Sequence, residues 1–464
     1  MPRCARCSTT AAAFDQKTTP RTQTAMSPIE IGIVSVLVML ALIYAGIHVP
    51  FVLALTSFVG VWLIKGNFTI ATLMLTQAAT QGIADYIFGV VPLFVLMGML
   101  VSAADLGRDS YIVANQLLRR YAGGLGIATV AANTVFAAIT GVTIASAAVF
   151  SRIAVPEMLQ FGYNKRFAVG VVAGSSVLGM LIPPSVLLIV YALIAEQSVG
   201  AMFLAGIGPG LLLAFLFSLG IFLTAKFFPR YVISDPQKAA AIDTNDNLTG
   251  LELVWKIAPV VMLVFAVLGG IYGGVFTPTE AGAVGAALAL VAALLKRRLT
   301  LRGFWAILIE TGYITASILF IVISATMYSR MLGISGLPTQ IGDMVRDLDA
   351  SYVVILLVFI ALALILGTII DSVSIILITV PLFLPLLAPF DVSLVWFGIV
   401  AVLATEIGLL TPPFGISCFV VRSTLSDYGV TLGDVFIGAF PFAVVMLLTV
   451  ALIVMFPSIV LFFV

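Results

Sequence analysis

The chain has 464 residues, 62% of them hydrophobic and 9% charged, with a formal net charge of +1. Soluble domains run at about 45–50% apolar and about 25% charged, so a water-facing fold of this length would lack the polar side chains to cover itself. The near-neutral balance gives no basic surface for a nucleic acid, and three cysteines exclude a disulfide scaffold.

Residues 1–25 are polar, basic and unperiodic, without the apolar stretch of a secretory signal. They read as a disordered N-terminal extension, or an early start, ahead of the natural opening Met26-Ser27-Pro28-Ile29-Glu30. Cys4 and Cys7 form a lone C-x-x-C there, with no second pair or histidine to complete a metal site. Apolar runs of about 20 residues, the length of a helical membrane span, follow at 29–47, 50–65, 84–105, 200–228, 253–273, 279–296, 303–331 and 431–463. Segments 122–160 and 351–389 are long enough to enter a membrane and return. Segments 166–195 and 393–422 are split by Pro183-Pro184 and Pro412-Pro413. A proline pair removes two backbone donors and clashes with the preceding turn, so each segment is predicted to be a broken helix.

The predicted organisation is therefore N-terminal scaffold helices over 26–118 and a first transport repeat over 119–228. A cytoplasmic loop with further scaffold helices follows over 229–350, then a second transport repeat over 351–464. The loop opens with the one substantial polar stretch, residues 229–252.

Basic residues set the orientation, because cytoplasmic loops collect Lys and Arg. One side gathers Arg108, Arg119, Arg120, Lys165, Arg166, Lys226, Arg230, Lys238, Lys256, Lys296, Arg297, Arg298, Arg302 and Arg422, the other only Lys65, Arg330 and Arg346. Ten crossings then place both termini on the periplasmic side. Arg119-Arg120 and Lys165-Arg166 flank segment 122–160, so it starts and ends in the cytoplasm as a re-entrant hairpin. Segment 351–389 is flanked by Asp343, Asp347, Asp349 and Asp391 and enters from the outer face.

The halves also match in sequence. GVTIASAAVFSRIAVP (141–156) pairs with GTIIDSVSIILITVP (367–381), LGMLIPPS (178–185) with IGLLTPPF (407–414), and GIGPG (206–210) with GAFPF (438–442). With hairpins entering from opposite sides, these are inverted repeats. Interrupted segments at corresponding places in two such halves point to a midplane binding site. Unwound backbone at membrane depth survives only inside protein or beside a cavity. Its carbonyls suit a hard cation such as Na⁺, and half-helix N-termini suit an anion. The expected fold is all-α and polytopic, with a re-entrant hairpin and a broken helix in each repeat.

From Met26 to about residue 460 the chain resembles the large membrane subunit of tripartite ATP-independent periplasmic (TRAP) transporters. The carriers are MSPIEIG, VPLFVLMGML (91–100), ASAAVFSRIAVPEM (145–158), AGSSVLGMLIPPS (173–185), GGVFTPTEAGAVGA (273–286), GTIID (367–371) and LATEIGLLTPPFG (403–415). The resemblance implies a bacterial inner-membrane secondary transporter that takes up organic anions, commonly carboxylates, on a sodium gradient by an elevator motion. It implies two partners, a small membrane subunit and a periplasmic solute-binding protein, besides the lipid bilayer. It implies no cofactor beyond Na⁺ as coupling ion. Carried over by motif, a first sodium site joins Gly141, Thr143 and Ala145 to Gly179, Ile182 and Pro184. A second joins Gly367 and Ile370 to Gly408, Thr411 and Pro413. The chain departs from the family's commoner Gly-Ser-Ser at the first hairpin, with Gly141-Val142-Thr143 instead.

Ionisable groups inside a membrane are costly and are functional candidates by default. Asp371 reads as a solute contact and Glu406 as a functional group at membrane depth, or each as the cap of a half-helix or the partner of a neighbouring dipole. Arg152 in the first hairpin could meet a carboxylate bidentately or extend toward the cytoplasm. Ser175, Ser176, Ser372 and Ser374 could bond a solute or pack helices closely. Glu157 and Glu280 read as structural, Glu280 at a helix start after Thr277-Pro278-Thr279. No catalytic residue is expected. Gly333-Ile334-Ser335-Gly336 matches a hydrolase G-x-S-G and His48 is the single histidine, but the motif lacks its nucleophile-and-base context. A stand-alone sodium/dicarboxylate transporter is the nearer rival; its Ser-Asn-Thr hairpin tips are not found in the sequence.

Overall fold

A computed structural model describes residues 26–84, 86–235, 237–238, 248–347, 351–413 and 415–464. The expectations for residues 1–25 lie outside them. The first helix, α1 (Pro28–Tyr44), starts where the sequence suggests. Ser27 Oγ accepts from the Glu30 N–H at 3.3 Å, and Glu30 Oε2 accepts from the Ser27 N–H at 2.7 Å. This reciprocal cap, with Pro28 inside it, satisfies donors that a helix start leaves unpaired.

The scaffold continues with α2 (Val49–Lys65), α3 (Phe68–Ala84), α4 (Val90–Ala103) and α5 (Leu106–Leu118). Helix α3 is a correction, since the sequence reading left 66–83 between spans. Its threonines depress the hydropathy that marks a span, yet each hydroxyl closes on its own helix. Thr72 donates to the Phe68 carbonyl, Thr76 to Thr72 and Thr80 to Thr76, at 3.0, 3.0 and 2.7 Å. Such back-bonding hides hydroxyls from an apolar medium. The count of ten crossings was made without α3 and does not carry the side of the termini. Helices α4 and α5 bend by 62° at Asp105, which takes a left-handed φ of 61°.

The first hairpin is α6 (Gly124–Thr140) and α7 (Thr143–Gln160), and the broken helix after it is α8 (Lys165–Ser176), α9 (Leu178–Leu181) and α10 (Val186–Ile194). Its two halves are bent by 42°. Helix α11 (Val199–Phe227) closes the first repeat, and α12 (Pro229–Val232) opens the polar loop. Next come α13 (Gly250–Val264), α14 (Pro278–Leu295), α15 (Leu301–Ser335) and α16 (Leu337–Asp347). Glu280 sits where expected, in a reciprocal cap with Thr277 at the start of α14. The second hairpin is α17 (Tyr352–Gly367) and α18 (Ser372–Leu387), its broken helix α19 (Leu394–Gly408) and α20 (Ile416–Thr424), and α21 (Leu432–Met455) follows. The Pro183-Pro184 and Pro412-Pro413 peptide bonds are both cis.

Six of the described helices are long and apolar enough to cross a membrane, and up to eight spans result if each bent pair counts as one. Large apolar side chains such as Phe215, Trp255, Phe265, Trp305 and Phe440 point outward. An apolar surround that stands in for the missing polar cover accounts for that arrangement. The hairpins and broken helices hold the buried centre, where α19 is buried from Val395 to Gly408.

Small residues set the closest packing. Gly285 of α14 receives Met97 of α4, and Gly170 of α8 lies flat against Gly438 of α21. At the start of α8, Asp434 pairs with Lys165 and Arg166, each at 3.0 Å. On the same basic side, Asp109 of α5 holds Lys256 at 3.1 Å and also binds Lys296.

Candidate functional site

The first hairpin turns at a glycine, and the second turns over residues 368–371 just after one, Gly367. After α6, Gly141 takes a φ of 64°, a conformation that favours residues without a Cβ, and Val142 is extended at φ −139°. A side-chain carbon on Gly141 would overlap the carbonyl oxygen of Pro184, and the Gly141 carbonyl accepts from the Val186 N–H at 3.3 Å. From the other side, a Cβ on Gly179 would stand 3.0 Å from the carbonyl carbon of Val142. The first tip is therefore seated in the break of the first broken helix.

The second tip repeats the arrangement. A Cβ on Gly367 would stand 2.6 Å from Gly408 Cα, and the Thr405 carbonyl lies 3.2 Å away. Asp371 caps α18, with Oδ2 accepting from the Ser374 N–H at 3.0 Å and Oδ1 from the Ser374 hydroxyl at 2.6 Å. Of the two readings of Asp371, the capping one is the contact the geometry contains.

Between the tips lies Glu406, 1% exposed. Thr143 Oγ1 donates to Glu406 Oε2 at 2.9 Å and Ser372 Oγ donates to Oε1 at 2.6 Å. Thr143 and Ser372 are each the first residue of a hairpin's second arm. The carboxyl group of one helix thus meets both tips, and the positive ends of two helix dipoles point at it.

The remaining expected residues divide. Gly141, Thr143, Gly179 and Pro184 converge at the first tip, with Ala145 in the first turn of α7. Ile182 turns its side chain onto Gly210 of α11. At the second tip Gly367 and Gly408 touch and Ile370 is buried, while the Thr411 hydroxyl bonds back to the Gly408 carbonyl at 2.7 Å. Pro183 and Pro184 are buried, whereas Pro412 and Pro413 are exposed. Ser175 accepts from Asn133 Nδ2 at 2.6 Å and Ser176 donates to the Ala173 carbonyl at 2.8 Å, so both hydroxyls have partners within the protein. Arg152 is exposed and nine residues beyond Thr143, about 14 Å along α7 from the tip at the α-helical rise. The structure does not bring it to the tips. Ser335 donates to the Leu332 carbonyl at 2.7 Å and accepts from the Leu337 N–H at 3.2 Å, closing the end of α15.

Asn133 escaped the sequence reading, although an amide in the middle of an apolar hairpin arm is a signal in itself. Glu157 is tied to α5, accepting from Asn115 Nδ2 at 2.6 Å.

A crevice of about 540 Å³ separates scaffold from second tip, lined among others by His48, Ser317, Phe320, Ile370, Asp371 and Ser374. A second cavity of about 410 Å³ runs between α10, α15 and α18, with Glu196, Ser329 and Arg330 in its wall. Together these features give two tips, each seated at a broken helix, the second of them beside a crevice.

Comparison with known proteins identifies the family and the fold. The family model described as "Tripartite ATP-independent periplasmic transporter, DctM component" matches residues 36–459. The C4-dicarboxylate TRAP transporter large permease protein DctM of Pseudomonas aeruginosa is 33% identical, over 80% of this chain and 84% of its own. The sialic acid TRAP transporter large permease protein SiaM of Vibrio cholerae is 32% identical, over 90% and 95%. Among solved structures, the Alcanivorax borkumensis YdaH transporter shares the fold. Its TM-score is 0.57 at 15% identity, over 83% of this chain and 88% of that one.

Proposed function

The chain belongs to the DctM component family of tripartite ATP-independent periplasmic transporters, and on that premise we propose that it carries a small organic anion across the bacterial inner membrane, coupled to Na⁺ held at its two hairpin tips. It is a multi-pass transporter permease and not an enzyme. The relatives are named for a C4-dicarboxylate and for sialic acid, both acids, which supports an organic acid as solute here. A periplasmic solute-binding protein would deliver it, and a small membrane subunit would complete the complex.

The observation that carries this reading is the seating of each hairpin glycine against the backbone of its own broken helix. Such contact leaves no room for a side chain at the glycines, so what those positions can offer a bound ion is backbone carbonyl oxygen, the chemistry a hard cation takes. Gly141, Thr143, Ala145, Gly179, Ile182 and Pro184 would frame the first cation, and Gly367, Ile370, Gly408, Thr411 and Pro413 the second. The solute would reach the second tip through the crevice at Ser317 and Ser374. A carboxylate brought onto Asp371 would be repelled, so that residue would act through a cation, or on a hydroxyl or ammonium group of the solute. The two repeats would move as one body against the scaffold, and the Lys- and Arg-rich side would face the cytoplasm.

Thermal unfolding of the full chain in sodium against potassium, at equal ionic strength, tests the coupling. An ion that binds only the folded state at ninefold excess over its Kd stabilises by about 1.4 kcal/mol. A sodium-specific rise in melting temperature that shrinks in Gly179→Leu is the expected result. Equal melting in the two salts, with and without the small subunit, would overturn it.

A further inference from the structure

Aligning the two breaks through Gly179 and Gly408 sets Glu406 opposite Val177. Val177 is as buried as Glu406, at 1% exposure. The repeats match in their glycines and prolines yet differ here, and the one carboxyl group lies with neither tip alone. It takes a hydroxyl from Thr143 of the first hairpin and another from Ser372 of the second. The two donors enter from different helices, so either tip can leave its seat only by breaking a bond to the group that holds the other. A carboxyl group buried among apolar neighbours loses heavily if a donor departs and no water replaces it.

We propose that Glu406 is a positioning residue that couples the two hairpin tips, so that release of one tip from its broken helix loosens the other. Thr143 and Ser372 are the two ends of the link. The proposal deepens the reading of the tips as ion sites and rests on that reading for its consequence, which is that filling one site would order the other.

Hydrogen–deuterium exchange on the full chain in lipid nanodiscs tests the link directly. Thr143→Val removes the first donor at nearly constant volume, and Ser372→Ala removes the second. The expected result is transmission. Thr143→Val should speed exchange not only over residues 141–147 but also over 367–374, by about fivefold, and Ser372→Ala should do the converse. Glu406→Ala should loosen both tips, and Glu406→Gln, which keeps volume and can still bond two hydroxyls, should restore most of the protection. Exchange confined to the mutated tip in both hydroxyl variants would overturn the proposal, even if Glu406→Ala fails to fold. Running each sample in sodium and in potassium separates the two ideas. No salt difference in the wild-type chain counts against sodium coupling, whereas the link stands or falls on the opposite tip in either salt.

Discussion

Gly367 and Gly408 face one another so closely that a methyl on either would stand 2.6 Å from the other's Cα. The atoms it would meet belong to backbone and cannot swing aside. Helices α17 and α19 would have to part, and overpacking of this kind costs about 1–3 kcal/mol. Gly367→Ala and Gly408→Ala should each lower the melting temperature. The double variant should lose less than the sum, because helices already parted for one methyl have room for the second. Full additivity in thermal unfolding would show that the two glycines do not share a contact.

A second prediction concerns the tie between the repeats at the ring of Tyr191. Its hydroxyl donates to the Leu394 carbonyl at 2.6 Å, and its ring lies against Gly398, where a Cβ would overlap it. Tyr191→Phe removes one hydrogen bond and should cost about 1 kcal/mol. Gly398→Ala drives a methyl into the ring and should cost more. If the phenylalanine variant proved the less stable of the two, the ring contact would be weaker than its geometry indicates.

At the start of α21, Asp434 does two jobs. It closes the cap with Thr431 and pairs with Lys165 and Arg166 of α8. Asp434→Asn should keep most of the cap and lose the ion pairs. Asp434→Ala should lose both, at about 1–2 kcal/mol in all. Because the basic partners are well exposed, the deficit of the asparagine variant should shrink as salt is raised. Melting curves at low and high ionic strength check this, and a deficit unchanged by salt would assign the effect to packing.

Arg152 offers a test on the solute side. Its exposure and its distance along α7 place it away from the tips. Arg152→Gln should leave the KM for uptake by the assembled transporter within about twofold. A bidentate grip on a carboxylate would raise it by about tenfold or more on removal.

Much of this arrangement could be read from residue order. A proline pair breaks a helix in any setting, and Gly179 and Gly408 at the same offset before each pair marked the two breaks as equivalents. Arg119-Arg120 and Lys165-Arg166 at the ends of segment 122–160 forced it to turn back, and the structure has it turning at Gly141. What escaped depends on distance along the chain. Thr143 and Glu406 are separated by 263 positions and Asn133 and Ser175 by 42, so no local pattern pairs them. Helix α3 escaped for a different reason. A hydropathy window scores threonine by its free hydroxyl, whereas in the helix that hydroxyl bonds to the turn before it.

The same threonines bear on how the chain enters the membrane as it is made. In an unfolded segment the hydroxyls of Thr72, Thr76 and Thr80 would each carry a desolvation cost, and only a formed helix removes it. Helix α3 packs against α2, which precedes it directly, and against α15, which is synthesised more than 200 residues later. During translation it therefore has one neighbour available and must wait for the other. Helices α1, α2 and α4 meet α15 as well, so the N-terminal scaffold is completed as a group by a later part of the chain, and truncation before Leu301 should leave α1, α2 and α3 all more open to protease than they are in the full chain.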